Sequence, residues 1–230
     1  MNEQTTHLPV TGPGDPPAPE SAASSAETAG SASTGSASGE APATEEPEGE
    51  VGPTLTIGVA IAVPEPFATQ LQDARRSYGD PQADIIPTHV TILPPTTIPE
   101  SAMPAVRAHL SEVARETVPF RIELLGTDTF RPVSPVVFVP LVKGASACAA
   151  LATQVRTGPL ARSLDFSYHP HVTLGHNIPD AQLDAAEAGS RDVHLDFLAD
   201  EVVLYLRDTE HNWERKAGFT FEGGAAVAND

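Results

Sequence analysis

The tripeptide His-Val-Thr occurs twice in this 230-residue chain, at His89-Val90-Thr91 and at His171-Val172-Thr173, 82 positions apart. Each copy sits in a strand-like apolar run. Side chains of a strand point to opposite faces in turn, so His89 and Thr91 share one face while Val90 and Ile92 share the other. His171 and Thr173 stand in the same relation to Val172 and Leu174. Either copy alone reads as a core strand whose histidine is satisfied internally. A bare H-x-T string is expected about once by chance in such a composition, whereas two copies of H-V-T followed by Ile or Leu are far rarer. The pair constrains the fold: two strands, each anchored from behind, each offering an imidazole beside a hydroxyl. Facing one another across a cleft, they would supply an acid, a base and two hydroxyl donors, enough to open or close a phosphodiester without a metal.

On these residues, and above all on the string Pro170-His171-Val172-Thr173-Leu174, the chain resembles the two-histidine phosphoesterase superfamily. The resemblance is closest to its 2′-5′ RNA ligase-like and 2′,3′-cyclic phosphodiesterase branch, and it spans about residues 54–222. It implies an α+β, bilobal fold with two antiparallel β-sheets and flanking helices around a central cleft that carries the two H-x-T motifs. It also implies His89 and His171 as the catalytic pair, with His171 as base and His89 as acid. The chain departs from the pattern at one point. Many relatives carry an Arg shortly after the second motif, where this chain has His176, a group charged only below about pH 6.5.

The expected activity is a metal-independent phosphodiesterase acting on cyclic (2′,3′-type) or 2′-5′-linked nucleotide or RNA phosphates, with 2′-5′ ligation as the reverse reaction. The alternative is a catalytically silent domain of the same fold that binds a nucleotide or an RNA end. Thr91 and Thr173 are read as donors to the phosphate oxygens, where charge builds up in the transition state. Arg131, in an irregular segment between strands, and His176 are further phosphate contacts to test. Phe130 and Tyr168 are candidates for stacking on a base, against core packing as the ordinary role of such aromatics. No cofactor and no metal is expected. In a continuous strand His169 and His171 share a face and His176 lies on the opposite one, and no carboxylate string accompanies them. His109, on a helix, and His194 read as surface residues, and Trp213 is given no role.

Composition divides the chain. Residues 1–53 contain nine acidic groups and no Lys or Arg, are rich in Ser, Ala, Gly, Pro and Thr, and carry no aromatic side chain. Such a stretch cannot bury enough surface to offset its ordering entropy, so it reads as a disordered acidic tail. Residues 54–222 form the phosphoesterase-like domain, and residues 223–230 a flexible C-terminal tail. Residues 54–230 hold 22 acidic against 13 basic groups. That balance disfavours long duplex nucleic acid, whose grip depends on Lys and Arg at the phosphates. The expected partner is therefore a nucleotide or an RNA terminus, with no membrane, and the chain is expected to act as a monomer. The start Met1-Asn2-Glu3-Gln4 lacks a basic signal region and no run reaches transmembrane length, which points to the cytoplasm. Cys148, Leu151 and Val155 recur at helical spacing, so the one cysteine reads as buried and structural.

Alternating and helical periodicities succeed one another through residues 54–222. Leu55–Val63, the His89 run, Phe120–Leu124, Val136–Phe138, the His171 run, Val193–Phe197, Val202–Leu206 and Arg215–Phe221 read as strands. Helices are expected near Phe67–Tyr78, Met103–Val113, Ala145–Leu160 and Asp180–Ala188. Each histidine strand follows a helix, which suggests two lobes related by approximate internal symmetry.

Overall fold

The structure, a computed structural model, describes residues 52–164 and 167–224. The expected N-terminal tail, most of the C-terminal one and Asp165 lie outside the described residues. Nine strands and four α-helices follow in the order β1 (Thr54–Ala62), α1 (Phe67–Ser77), β2 (His89–Pro99), α2 (Met103–Glu116), β3 (Phe120–Leu125), β4 (Asp128–Thr129), β5 (Val136–Lys143), α3 (Ala145–Val155), β6 (His171–His176), α4 (Asp180–Gly189), β7 (His194–Ala199), β8 (Glu201–Arg207) and β9 (Trp213–Thr220).

Two antiparallel sheets form. The first has the order β2-β1-β8-β9. In the second, β6 lies along one edge of β5, while β4 and β3 share the other edge and β3 pairs with β7. The sheets are thus built alike. β2 and β6, which carry the two motifs, are each the outermost strand of their sheet, and each reaches it through a helix from the strand it pairs with. The bilobal α+β architecture expected from the sequence is the observed one.

The alternation that defined the strands also defines the core. Ile57, Val59 and Ile61 are at most 2% exposed and pack with Val90, Ile92 and Leu93 of β2 and Val202 and Leu204 of β8. Ile122, Leu124, Val137, Val139, Val172 and Leu174 extend the same cluster into the second sheet. The helices close it through Leu71, through Val106, Leu110 and Val113, and through Cys148, Leu151 and Val155. Each large aliphatic side chain so buried contributes about 1.5–3 kcal/mol. Cys148 is fully buried, and burial pushes its thiol up to about 12. The opposite sheet faces carry two separate apolar groups: Ala60, Val203 and Tyr205 with Ala62 and Trp213 on the first, and Phe130, Val136 and Phe138 on the second.

Local differences from the expected elements have local causes. The third helix ends at Val155, not near Leu160. Gly158 takes a left-handed φ of +55° and Pro159 follows, so only a single 3-10 turn forms at Gly158–Leu160. His109 is half-buried, and its Nε2 lies 3.1 Å from the Val155 carbonyl, joining α2 to the end of α3. Trp213 opens β9. At the other end, the Gly223 N–H donates to the Thr117 carbonyl at 2.8 Å, so the chain is still held where the flexible tail was expected to start.

Candidate active site

Strand register places the two motifs on the sheet faces turned away from the main core. His89 lies opposite Ala62 and Thr91 opposite Ala60, while His171 lies opposite Pro140 and Thr173 opposite Phe138. In both strands the pairing then slips by one residue. Leu93 comes opposite Val59, leaving Ile92 over, and Gly175 comes opposite Val137, leaving Leu174 over. The burial sequence is therefore the same in both copies: half-buried His, buried Val, half-buried Thr, then two buried residues in succession.

This bulge corrects the expectation for His176. The extra residue returns the strand to its earlier phase. His176 thus emerges opposite Val136 on the same face as His171 and Thr173, not on the opposite one. Gly175 is the residue that makes the turn inward possible. A Cβ there would lie 2.9 Å from Ile178 Cδ1 and 3.5 Å from Leu183 Cδ2.

Backbone carbonyls fix the orientation of both catalytic candidates. His89 Nδ1 lies 2.6 Å from the Pro87 carbonyl and His171 Nδ1 lies 2.8 Å from the His169 carbonyl. A carbonyl can only accept, so Nδ1 carries the proton and Nε2 is the working nitrogen in each ring. At His89 that nitrogen accepts from the Thr91 hydroxyl at 3.1 Å. Burial lowers both imidazoles from the ordinary value near 6.5. For His171 it does so to about 4, with His169, His89 and His176 each adding a smaller push in the same direction. For His89 the nearby Arg75 guanidinium adds to the lowering. Burial also lowers His176, with Asp80 and Arg75 acting on it in opposite senses. At neutral pH the three rings on these sheet faces are accordingly neutral.

Arg75 went unnoticed in the sequence, although it continues the spacing of Phe67 and Leu71 at i+4 on what reads as an apolar helix face. It is 3% exposed and donates to Asp80 Oδ2 from Nε at 3.1 Å and from Nη2 at 2.9 Å. Its Nη1 donates to the Ile86 carbonyl at 3.0 Å, which also accepts from Gln72 Nε2 at 3.2 Å. One residue further on is Pro87, whose carbonyl holds His89. Helix α1 thus pins the segment that sets the His89 tautomer.

The remaining candidates fall into two groups. Tyr168 ties the motifs together: its hydroxyl donates to the Thr91 carbonyl at 2.7 Å, and Arg156 lies over its ring at 5.6 Å. Phe130 is 8% exposed and meets the His171 and His169 rings edge-on at 5.1 and 5.4 Å. It walls the second imidazole pair, and its face is covered by Phe138 at 4.2 Å rather than open to a base. Arg131 is directed elsewhere. Its guanidinium donates to Asp184 at 2.7 Å and Glu187 at 2.8 Å on α4, so it is engaged by carboxylates and not offered to a phosphate. Among the described residues no three His, Cys, Asp or Glu side chains converge as a metal site requires. No described helix is long and apolar enough to cross a membrane.

Comparison with known proteins identifies the family and the fold. A protein of Halalkalibacterium halodurans provisionally named a phosphoesterase is 30% identical over 164 residues, covering 69% of this chain and 93% of that protein. One of Geobacillus kaustophilus with the same provisional name is 25% identical over 178 residues, covering 75% of this chain and all of its own length. Among solved structures, E. coli LigT complexed with 3′-AMP superposes with a TM-score of 0.55 at 16% identity, covering 74% of this chain and 99% of that one. A crystal structure described as a phosphoesterase gives 0.53 at 14% identity with the same coverage. The family model of the 2′-5′ RNA ligase superfamily matches residues 63–211, both motifs included, and the chain belongs to that superfamily.

Proposed function

We propose that this protein is a metal-independent phosphodiesterase that opens nucleoside or RNA-terminal 2′,3′-cyclic phosphates, and that acts on 2′-5′ joints by the same chemistry. The observation that carries this reading is the pairing of two imidazoles whose Nδ1 protons are committed to backbone carbonyls, on motif strands β2 and β6 that meet at their edges. Each Nε2 is then the nitrogen left for proton transfer, bonded at His89 only to the Thr91 hydroxyl, and each ring has a threonine two residues on along the same strand face.

His171 is assigned as the base: its Nε2 takes a proton from water as the water oxygen attacks phosphorus. His89 is the acid: it enters protonated and gives that proton from Nε2 to the ribose oxygen as its bond to phosphorus breaks. The product is a 2′- or 3′-monophosphate, and the proton taken by His171 returns to solvent. Thr91 and Thr173 donate to the non-bridging oxygens as their charge grows. The Thr91 hydroxyl, bonded to His89 Nε2 in the free protein, turns to the phosphate when that nitrogen becomes protonated. Reversal with a 5′-hydroxyl as nucleophile gives a 2′-5′ linkage. E. coli LigT holds 3′-AMP, the kind of monoester that opening a 2′,3′-cyclic phosphate leaves, which supports a nucleotide substrate here.

Phosphorus NMR tests the proposal. The full chain is incubated with adenosine 2′,3′-cyclic phosphate and excess chelator, beside a His89→Ala/His171→Ala variant. Conversion to a monophosphate by the wild type alone is the expected result. Conversion that chelator stops, or that persists in the variant, would overturn the two-histidine mechanism.

A further inference from the structure

The motifs account for the phosphate and leave the rest of a nucleotide without a seat. The first sheet supplies one. Register puts Gly58, Ala60 and Ala62 of β1 on the same face as His89 and Thr91, continued by Val203 and Tyr205 of β8 and Trp213 of β9. These residues form an apolar group apart from the main core. Gly58 has no side chain where the indole crosses it. A Cβ there would stand 3.0 Å from Trp213 Cζ3 and 3.4 Å from Cη2, so the ring lies against the strand. Tyr205 is 8% exposed beneath this layer, while Trp213 is only half-buried.

Two constraints place the indole near the phosphate site. Gly58 and Ala60 are successive residues on one face of β1, about 7 Å apart, and Ala60 is the direct partner of Thr91. The Trp213 backbone N–H also donates to the Ile85 carbonyl at 3.4 Å. Ile85 precedes His89 by four residues, which even fully extended span no more than about 14 Å. A phosphate at Thr91 and a ring on the indole are therefore separated by roughly what a ribose bridges.

Electrostatics favour the same solution. The domain is acidic, and many of its guanidinium groups are bound to carboxylates, among them Arg75, Arg76, Arg121, Arg131 and Arg215. A neutral aromatic face gains affinity from any base without needing positive charge.

We infer that Trp213, laid over Gly58, is the base platform of this site and stacks on the nucleobase attached to the phosphate held between the motifs. The inference rests on the nucleotide reading above and extends it. It requires a substrate with a purine or pyrimidine next to the reacting phosphate, and it makes the affinity largely indifferent to which base that is.

Trp213 is the one tryptophan of the chain, so its fluorescence reports the platform directly. Adenosine 3′-monophosphate should quench it saturably, and inorganic phosphate should not. With adenosine 2′,3′-cyclic phosphate, Trp213→Leu should raise KM about tenfold with kcat little changed. With glycerol 1,2-cyclic phosphate, which has no base, KM should stay as in wild type. Trp213→Phe, which keeps an aromatic face, should fall between. No fluorescence response to the nucleotide, or an equal KM rise for both substrates, would overturn the platform while leaving the diesterase standing. Saturable quenching by the nucleotide without turnover of any cyclic phosphate would sink the hydrolytic reading and keep the platform.

Discussion

Imidazole is useful in catalysis because water leaves it poised near neutrality, and this cleft removes much of that water. His171 is brought to about 4, and His89 falls below its usual value for the same reason with Arg75 assisting. The consequence for rate has a definite sign. In the proposed assignment the base must be neutral, which His171 is above about pH 4. The acid must be protonated, which a lowered His89 is only below about 6.5. The pH profile of kcat/KM, which reads the free protein, should then be a bell with its maximum below about pH 6.5. An anionic phosphodiester between the rings favours their charged forms, so kcat should peak at higher pH than kcat/KM. A maximum of kcat/KM above pH 7 would contradict the assignment. His89 and His171 were legible because they sit in a repeated string. Arg75 was not, because an arginine inside an apolar stripe looks like an interruption until its partner, Asp80, is seen past the end of the helix.

At the level of elements, period-two and helical spacing located β1, the motif strands and all four helices, since each must show one apolar face to a common core. The bulges had no such signature. A bulge changes the phase of a strand by one residue and leaves composition untouched, so His176 was assigned to the wrong face. The sequence did hold a hint: Leu174-Gly175 and Ile92-Leu93 place two inward residues in succession where strict alternation allows one. Gly175 tests how tightly that phase is set. Gly175→Val should destabilise the protein by about 1–3 kcal/mol, because its Cβ would press on Ile178 and the packed Leu183. Chemical denaturation measures it, and an unchanged midpoint would mean that the strand accommodates a side chain there.

Taken as a whole, the described residues enclose a core shared by both sheets and keep the motif histidines on the outer faces, where their cost appears only in acid. His171 binds its proton near pH 4 when folded and near 6.5 when unfolded. Its contribution to stability is therefore complete above pH 6.5 and is lost as pH falls from 6.5 toward 4, because the unfolded chain takes up the proton first. His89 and His176 shift in the same direction and steepen the fall. The thermal midpoint should decline across that interval, and His171→Asn, which has no proton to gain, should decline less. Equal slopes would show that the ring is solvated in the folded state. The two-lobed plan was legible through the family resemblance that the repeat carries. How the lobes meet was not, because contacts such as Tyr168 with Thr91 join residues 77 apart and follow no periodicity.

That contact also governs what the cleft can admit. The Tyr168 hydroxyl comes from the approach to the second motif and holds the backbone of the first at 2.7 Å. The ring is mostly buried, and burial drives its phenol far above the ordinary range, so the hydroxyl keeps its proton at any pH the fold survives. A bond of this kind acts as a gauge. On the proposed reading it sets the spacing of the two candidate rings, and a substrate would be sorted by whether a phosphorus centre fits between them, before any proton moves.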